Sequence, residues 1–216
     1  MRIGAKSGIV GWARIRARLG MYMDVSLVRS EVAMMPLERE AVYLLDIEIE
    51  WVPSLVQTGD YARAVAKSID LPAEQIEPWV ESRLARQFTL TRDKPPQLDM
   101  VVDEAVFRKV VGDRQVMARQ LRAILEACDR DNVELRVLPV TPFWLESGYY
   151  VMAADFSEHV AYLESPTSVV ILDDRNEMEF YRQCTTRLSR RSLEPEESLA
   201  IVADYAKEYE VSPSDG

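Results

Sequence analysis

Between residues 51 and 63 the sequence Trp-Val-Pro-Ser-Leu-Val-Gln-Thr-Gly-Asp-Tyr-Ala-Arg changes from one periodicity to another, and the rest of the chain must fit that change. Upstream, Asp46–Trp51 alternates polar and apolar residues, the period of a strand. Pro53 breaks that pattern, because a proline has no N–H to give a sheet ladder. Downstream, Tyr61, Ala62, Val65, Ala66 and Ile69 recur at helical spacing. Gly59-Asp60 stands between the two, where a carboxylate can accept an orphan N–H at a helix start. Residues 51–63 therefore read as a connection from a strand into a helix, with Gln57 and Thr58 as its polar centre.

Around this junction the pattern predicts an α+β chain: a helical N-terminal half, a small and mostly antiparallel sheet in the second half, and C-terminal helices. Helices are expected from Pro36 through Leu45, over Asp60–Ile69 and Pro72–Arg92, and over Ala105–Val111. Further helices are expected after Gly112 with Asp113 as cap, over Arg175–Arg191, and over Pro195–Tyr209. The fifth of these carries a strong stripe of Val116, Met117, Leu121, Ile124, Leu125 and Cys128. Strands are expected at Asp46–Trp51, Gln97–Val102, Val133–Val137, Tyr149–Phe156, His159–Glu164 and Ser168–Leu172. Residues 1–35 read as a basic, linker-like segment with Trp12, Ile15 and Leu19 on one possible helix face. Residues 36–210 read as a single domain and 211–216 as a fraying tail.

Charge and composition exclude several classes. The net charge is −10, but Arg2, Lys6, Arg14, Arg16 and Arg18 all precede the first acid, Asp24, which leaves 21 basic against 36 acidic residues beyond residue 18. So acidic a body repels a phosphate backbone, and no nucleic-acid partner is expected for this chain alone. The basic start has the character of a transit peptide or of a linker. No run reaches the roughly 18 apolar residues of a membrane span, so the expected location is cytoplasmic. One histidine and two cysteines without Cys-x-x-Cys spacing leave no basis for a metal site. Cys128 continues a helical stripe and reads as a buried free thiol of a reducing compartment. None of the eight glycines stands in a G-x-G pair, so a nucleotide-binding loop is not expected, nor any other cofactor.

Three groups of residues can carry chemistry. Arg83, Arg86 and Gln87 share a helix face at i, i+3, i+4 and can hold an oxyanion, or can serve as a structural ion-pair set. Asp103-Glu104 lies at a strand-to-helix junction; the pair can line a pocket, or Asp103 can cap the helix while Glu104 pairs with Arg108. His159 is the one imidazole available for acid–base work and otherwise a hairpin residue. With Gln57, Tyr61 and Arg63 from the junction, these give the expected ligand-binding set: Gln57, Tyr61, Arg63, Arg83, Arg86, Gln87, Asp103 and Glu104. If the chain is an enzyme, Glu104 or Asp103 would act as acid or base, with His159 or Tyr162 assisting. Phe143-Trp144 on a predicted loop is a candidate contact patch for a homo-oligomer.

Several segments, in order, resemble one known family. They are Leu37-Glu38-Arg39-Glu40-Ala41, Val52-Pro53-Ser54-Leu55-Val56-Gln57-Thr58, Asp60-Tyr61-Ala62-Arg63-Ala64, Arg83-Leu84-Ala85-Arg86-Gln87, Val102-Asp103-Glu104-Ala105-Val106-Phe107-Arg108, Val116-Met117-Ala118-Arg119-Gln120-Leu121, Val133–Pro139, Tyr162-Leu163-Glu164 and Glu197-Ser198-Leu199. The resemblance is to the domain of unknown function that follows an XRE-type helix-turn-helix in antitoxin-like transcriptional regulators of actinobacteria. Ser54 stands where that family usually has glycine. Gly11–Arg14 looks like the linker between the two parts, and the stretch before it is too short for the helix-turn-helix itself. The resemblance implies a regulatory domain that senses a small molecule or a partner protein; it does not imply that this chain binds DNA, and no DNA binding is expected of it. The alternative is a repurposed enzyme or accessory protein of a biosynthetic pathway, built on the Asp/Glu and Arg groups.

Overall fold

A computed structural model describes residues 22–23, 27–140, 148–153, 159–164 and 169–211. The Trp12 face, Phe143-Trp144 and the tail beyond Val211 lie outside the described residues. The chain is α+β, with helical segments toward both ends and one seven-stranded sheet between them. The strands are β1 (Tyr22–Met23), β2 (Tyr43–Glu48), β3 (Gln97–Asp103), β4 (Val133–Leu138), β5 (Tyr149–Ala153), β6 (His159–Glu164) and β7 (Val169–Leu172), in the order β1-β7-β6-β5-β2-β3-β4. Four of the six pairings are antiparallel; β2, β3 and β4 run parallel. The sheet is therefore not confined to the second half of the chain: its interior strands β2 and β3 come from the first half.

The helices are α1 (Leu27–Glu40), α2 (Gly59–Ser68), α3 (Ala73–Arg86), the short α4 (Ala105–Arg108), α5 (Arg114–Cys128), α6 (Arg175–Ser189) and α7 (Pro195–Glu210). The first crossover, β2 to β3, carries α2 and α3; the second, β3 to β4, carries α4 and α5. On one sheet face Leu44, Leu98, Met100, Val102, Leu135, Val137, Tyr150 and Met152 meet Leu37 of α1, Tyr61 of α2, Trp79 of α3, Leu121 of α5 and Val202 of α7 in the main core. On the other face Leu45, Ile47, Val101, Leu138, Tyr149, Val151 and Ala161 meet α6 through Leu188, Met178, Tyr181 and Cys184. The β4 edge is closed to further pairing, since Leu193 N–H donates to the Val137 carbonyl and Val137 N–H donates to Ser198 Oγ.

Several boundaries differ from the predicted ones. The strand expected at Asp46–Trp51 runs over Tyr43–Glu48, and the helix expected through Leu45 ends at Glu40, having begun at Leu27 with Pro36 inside it. The cause is burial on both faces. Leu44 and Leu45 are both buried, so this strand shows an unbroken apolar run that mimics a helix stripe. Thr58, not Asp60, caps α2, its hydroxyl accepting from Tyr61 N–H at 3.3 Å. The helix expected to Arg92 ends at Arg86 and tightens into a 3₁₀ turn at Gln87–Leu90. Asp113 caps α5 as predicted, accepting from Val116 N–H. Ser54 sits in a 3₁₀ turn, Ser54–Val56, and is not among the residues of positive φ, so the serine fits without strain. Gly148 opens β5 where a Cβ would lie 2.5 Å from the Ile47 carbonyl oxygen, so this close approach requires glycine. Cys128 is a free thiol held largely out of water, which pushes its pKa up to about 12 and leaves it unreactive.

The main core encloses an ion pair. Glu38 of α1 and Arg86 of α3 have side chains only 2% exposed and meet at 2.7 Å, with Arg86 Nε donating to Glu38 Oε2 at 3.0 Å and Tyr150 hydroxyl donating to Oε1 at 3.1 Å. Removing one partner strands the other charge in a low-dielectric interior. Arg86→Ala is expected to cost about 3–5 kcal/mol in urea unfolding, whereas Glu38→Leu combined with Arg86→Met is expected to recover most of that loss.

Candidate functional site

The turn between β2 and α2 is held by amide side chains. Gln120 of α5 is fully buried; its Oε1 accepts Thr58 N–H at 2.7 Å and its Nε2 donates to the Val56 carbonyl at 2.8 Å. Gln57 Nε2 donates to the Val52 carbonyl at 2.7 Å, Arg83 donates to Gln57 Oε1 at 3.0 Å, and Gln87 Nε2 donates to the Gln57 carbonyl at 2.6 Å. Val52 N–H donates to Tyr61 hydroxyl at 3.2 Å. A buried stretch without ladder partners must have its backbone groups paired in some other way, and these side chains do it. Arg83 also lies 4.0 Å over the Trp79 ring. The structure therefore brings Gln57, Arg83, Gln87 and Tyr61 together. Arg86 departs from this group to meet Glu38, and Arg63 pairs at the surface with Glu77 at 2.6 Å and with Asp60 at 3.4 Å.

Asp103 and Glu104 form a second corner, at the carboxyl end of β3. Asp103 Oδ1 accepts Ala105 N–H at 2.7 Å, and Glu104 Oε1 accepts from Arg108 and Tyr205 at 2.6 and 2.7 Å. Val140 N–H donates to Glu104 Oε2 at 3.3 Å. Arg108 Nε in turn donates to Tyr205 hydroxyl at 2.6 Å, closing a three-membered ring of polar groups. Partial burial works to raise the Glu104 pKa, but the hydrogen bonds from Tyr205 and Arg108 outweigh it and hold the carboxyl below its ordinary value. The i, i+4 pair read from sequence is present, whereas the N-cap position falls on Glu104, and Asp103, one residue earlier, accepts the N–H of the first helical residue.

A third place is concave. Between the flank of α6 and the second sheet face lies a cavity of about 550 Å³. Its floor is Leu45 of β2 and Val151 of β5; Tyr43 and His159 stand at its sides, and Met178, Tyr181, Arg182, Thr185 and Thr186 line it from α6. The strand register explains the dip. Tyr43 and His159 each pair with Ala153 from opposite sides, so two large side chains flank a methyl. Asp173, Arg175 and Glu179 stand at the rim. Tyr43 hydroxyl donates to Asp99 Oδ2 at 2.9 Å, and Thr185 shares a hydrogen bond with Tyr149 hydroxyl at 2.9 Å. His159 lines this cavity, but Tyr162 does not. Three residues further along β6, Tyr162 belongs to the main core on the opposite face.

The family profile described as "Domain of unknown function (DUF5753)" matches residues 32–204. The chain belongs to that family. The match spans the pinned turn, Glu104 with Arg108, and every residue that lines the cavity; Tyr205 of the Glu104 corner stands one residue beyond it. Comparison with curated proteins gives no match. Among the described residues of this DUF5753 chain, no group of three or more His, Cys, Asp or Glu is placed to hold a metal ion, and no helix is long and apolar enough to cross a membrane.

Of the cavity residues, sequence reading singled out His159 alone. Arg175, Met178, Glu179, Arg182, Thr185 and Thr186 recur along α6 at helical spacing, but no local pattern joins that face to Tyr43, Leu45 and Val151 on the strands.

The Glu104 corner yields a pH prediction. Because the folded carboxyl titrates below its unfolded value, its contribution is complete above the ordinary glutamate range and disappears as pH falls through the folded pKa. Glu104→Gln is expected to lower urea stability at about pH 7, with the difference from the parent shrinking as pH falls below the ordinary glutamate range.

Proposed function

We propose that this DUF5753 domain is a regulatory module that binds a small molecule in the cavity beside α6 and does not itself bind DNA. The observation that carries this reading is the cavity. At about 550 Å³ it falls within the roughly 300–1,000 Å³ typical of ligand pockets, and it combines a buried apolar floor with a few convergent polar groups. The family context supplies the regulatory role, and the excess of acidic residues beyond residue 18 speaks against phosphate-backbone contacts. In this reading Gln57, Tyr61, Arg83 and Gln87 frame the domain, and His159 belongs to the ligand site.

The alternative, an enzyme or pathway accessory protein using Glu104 as acid or base, has less support. Both Glu104 oxygens already accept hydrogen bonds, from Arg108, Tyr205 and Val140 N–H. A general base must be free to take a proton from its substrate.

A thermal-shift screen of soluble metabolites tests the proposal. A ligand present at about 100 times its dissociation constant stabilises the fold by about 2.7 kcal/mol. Thr186→Trp places a bulky ring on the cavity rim and is expected to abolish that stabilisation while leaving the unliganded melting temperature nearly unchanged. Stabilisation that survives Thr186→Trp would contradict the assignment of the site.

A further inference from the structure

The groups around the cavity are unequally engaged. Glu179 holds Arg182 and Gln183, with oxygen–nitrogen distances of 2.6–2.8 Å. Asp99, beneath Tyr43, accepts from Tyr43 hydroxyl and from Gln97 Nε2, and Asp173 has an interaction of its own. Arg175, the first residue of α6, has no ion-pair or hydrogen-bond partner among the described residues. The acids near this cavity are thus satisfied, while a guanidinium at its mouth is not.

A second donor shares the wall with that guanidinium: His159, the first residue of β6, lines the same cavity as Arg175. Whichever nitrogen carries its proton, the imidazole has an N–H to offer. Deeper in, the lining is apolar and aromatic: Leu45 and Val151 are buried, and Tyr181 is held edge-on by Tyr149, with ring centroids 4.9 Å apart. Met178 adds a thioether, which makes favourable contacts with aromatic edges.

From this pairing of an unengaged cation with a flat apolar interior, we infer that the cavity takes a small aromatic carboxylate. The ring lies between Tyr181 and the Leu45–Val151 floor, and the carboxylate faces Arg175 and His159. This deepens the ligand-site proposal and rests on it. A guanidinium binds a planar carboxylate through two parallel N–H donors, which a neutral amide cannot match.

Isothermal titration with phenylacetate and indole-3-acetate, their neutral amides, and phenethylamine tests the inference on the full chain. The acids are expected to bind at least about tenfold more tightly than the amides, with phenethylamine weakest. Arg175→Gln is expected to erase the acid-over-amide preference, and His159→Gln to reduce it. Arg190→Gln, exposed beyond the end of α6, should leave it intact. Amides that bind as tightly as the acids, or a preference that survives Arg175→Gln, would overturn the carboxylate assignment. If that binding is nevertheless lost in Thr186→Trp, the cavity remains a ligand site of another class. Failure of every probe to bind would overturn the aromatic-carboxylate assignment alone, and the thermal-shift screen then decides the ligand-site proposal by itself.

Discussion

The buried amide of Gln120 pairs with one donor and one acceptor of a backbone segment that belongs to no strand or α-helix, and the first crossover depends on it. Between β2 and α2 the chain passes under α5 with Val52, Leu55 and Val56 buried. Every peptide group carried inward there must find a partner or lose the free energy of its hydrogen bonds to water. Gln120 supplies two partners, and Gln57 and Gln87 supply two more. The turn is thereby fixed in direction, α2 starts at Thr58, and Tyr61 returns its hydroxyl to Val52 N–H. The parallel β2–β3–β4 part of the sheet rests on this connection, because a parallel pair needs a long crossover that packs back onto the sheet.

The two faces of the sheet are then covered very differently. Helices α1, α2, α3, α5 and α7 contribute to the main core, whereas α6 is the one described helix against the second face, with Leu188 its only fully buried residue. A single helix laid across strands cannot fill the whole surface between them. Where Tyr43 and His159 flank Ala153, the uncovered part becomes the cavity. The cavity is thus a consequence of topology: among the described residues every helix but α6 packs on one side of the sheet.

How much of this could be read from the sequence depends on how local each interaction is. Helix α5 was legible because its stripe is long and its cap, Asp113, adjoins it. The Glu104–Arg108 pair was legible because four residues on a helix bring the two side chains together. The Tyr43–Glu48 strand was not, since an unbroken apolar run buried on both faces carries no period of two. Nor was the fate of Arg86: its spacing from Arg83 suggested a shared surface, but Glu38, 48 residues earlier, draws it into the core. The cavity was the least legible of all. His159 drew attention only as the lone histidine, and nothing in the sequence ties it to Tyr43 or Tyr181, which reach it through strand order and the path of α6.

The central claim is that this DUF5753 domain binds its ligand beside α6 and uses the glutamine-pinned turn and the Glu104 corner as framework. Amide and side-chain chemical-shift mapping of a fragment library tests it most directly, because all three places are read in one experiment. The account predicts shifts that cluster on Tyr43, Leu45, Val151, His159 and the inner flank of α6, with Val52–Thr58 and Glu104 unmoved. Shifts centred on Gln57 and Arg83, or on Glu104 and Tyr205, would contradict it.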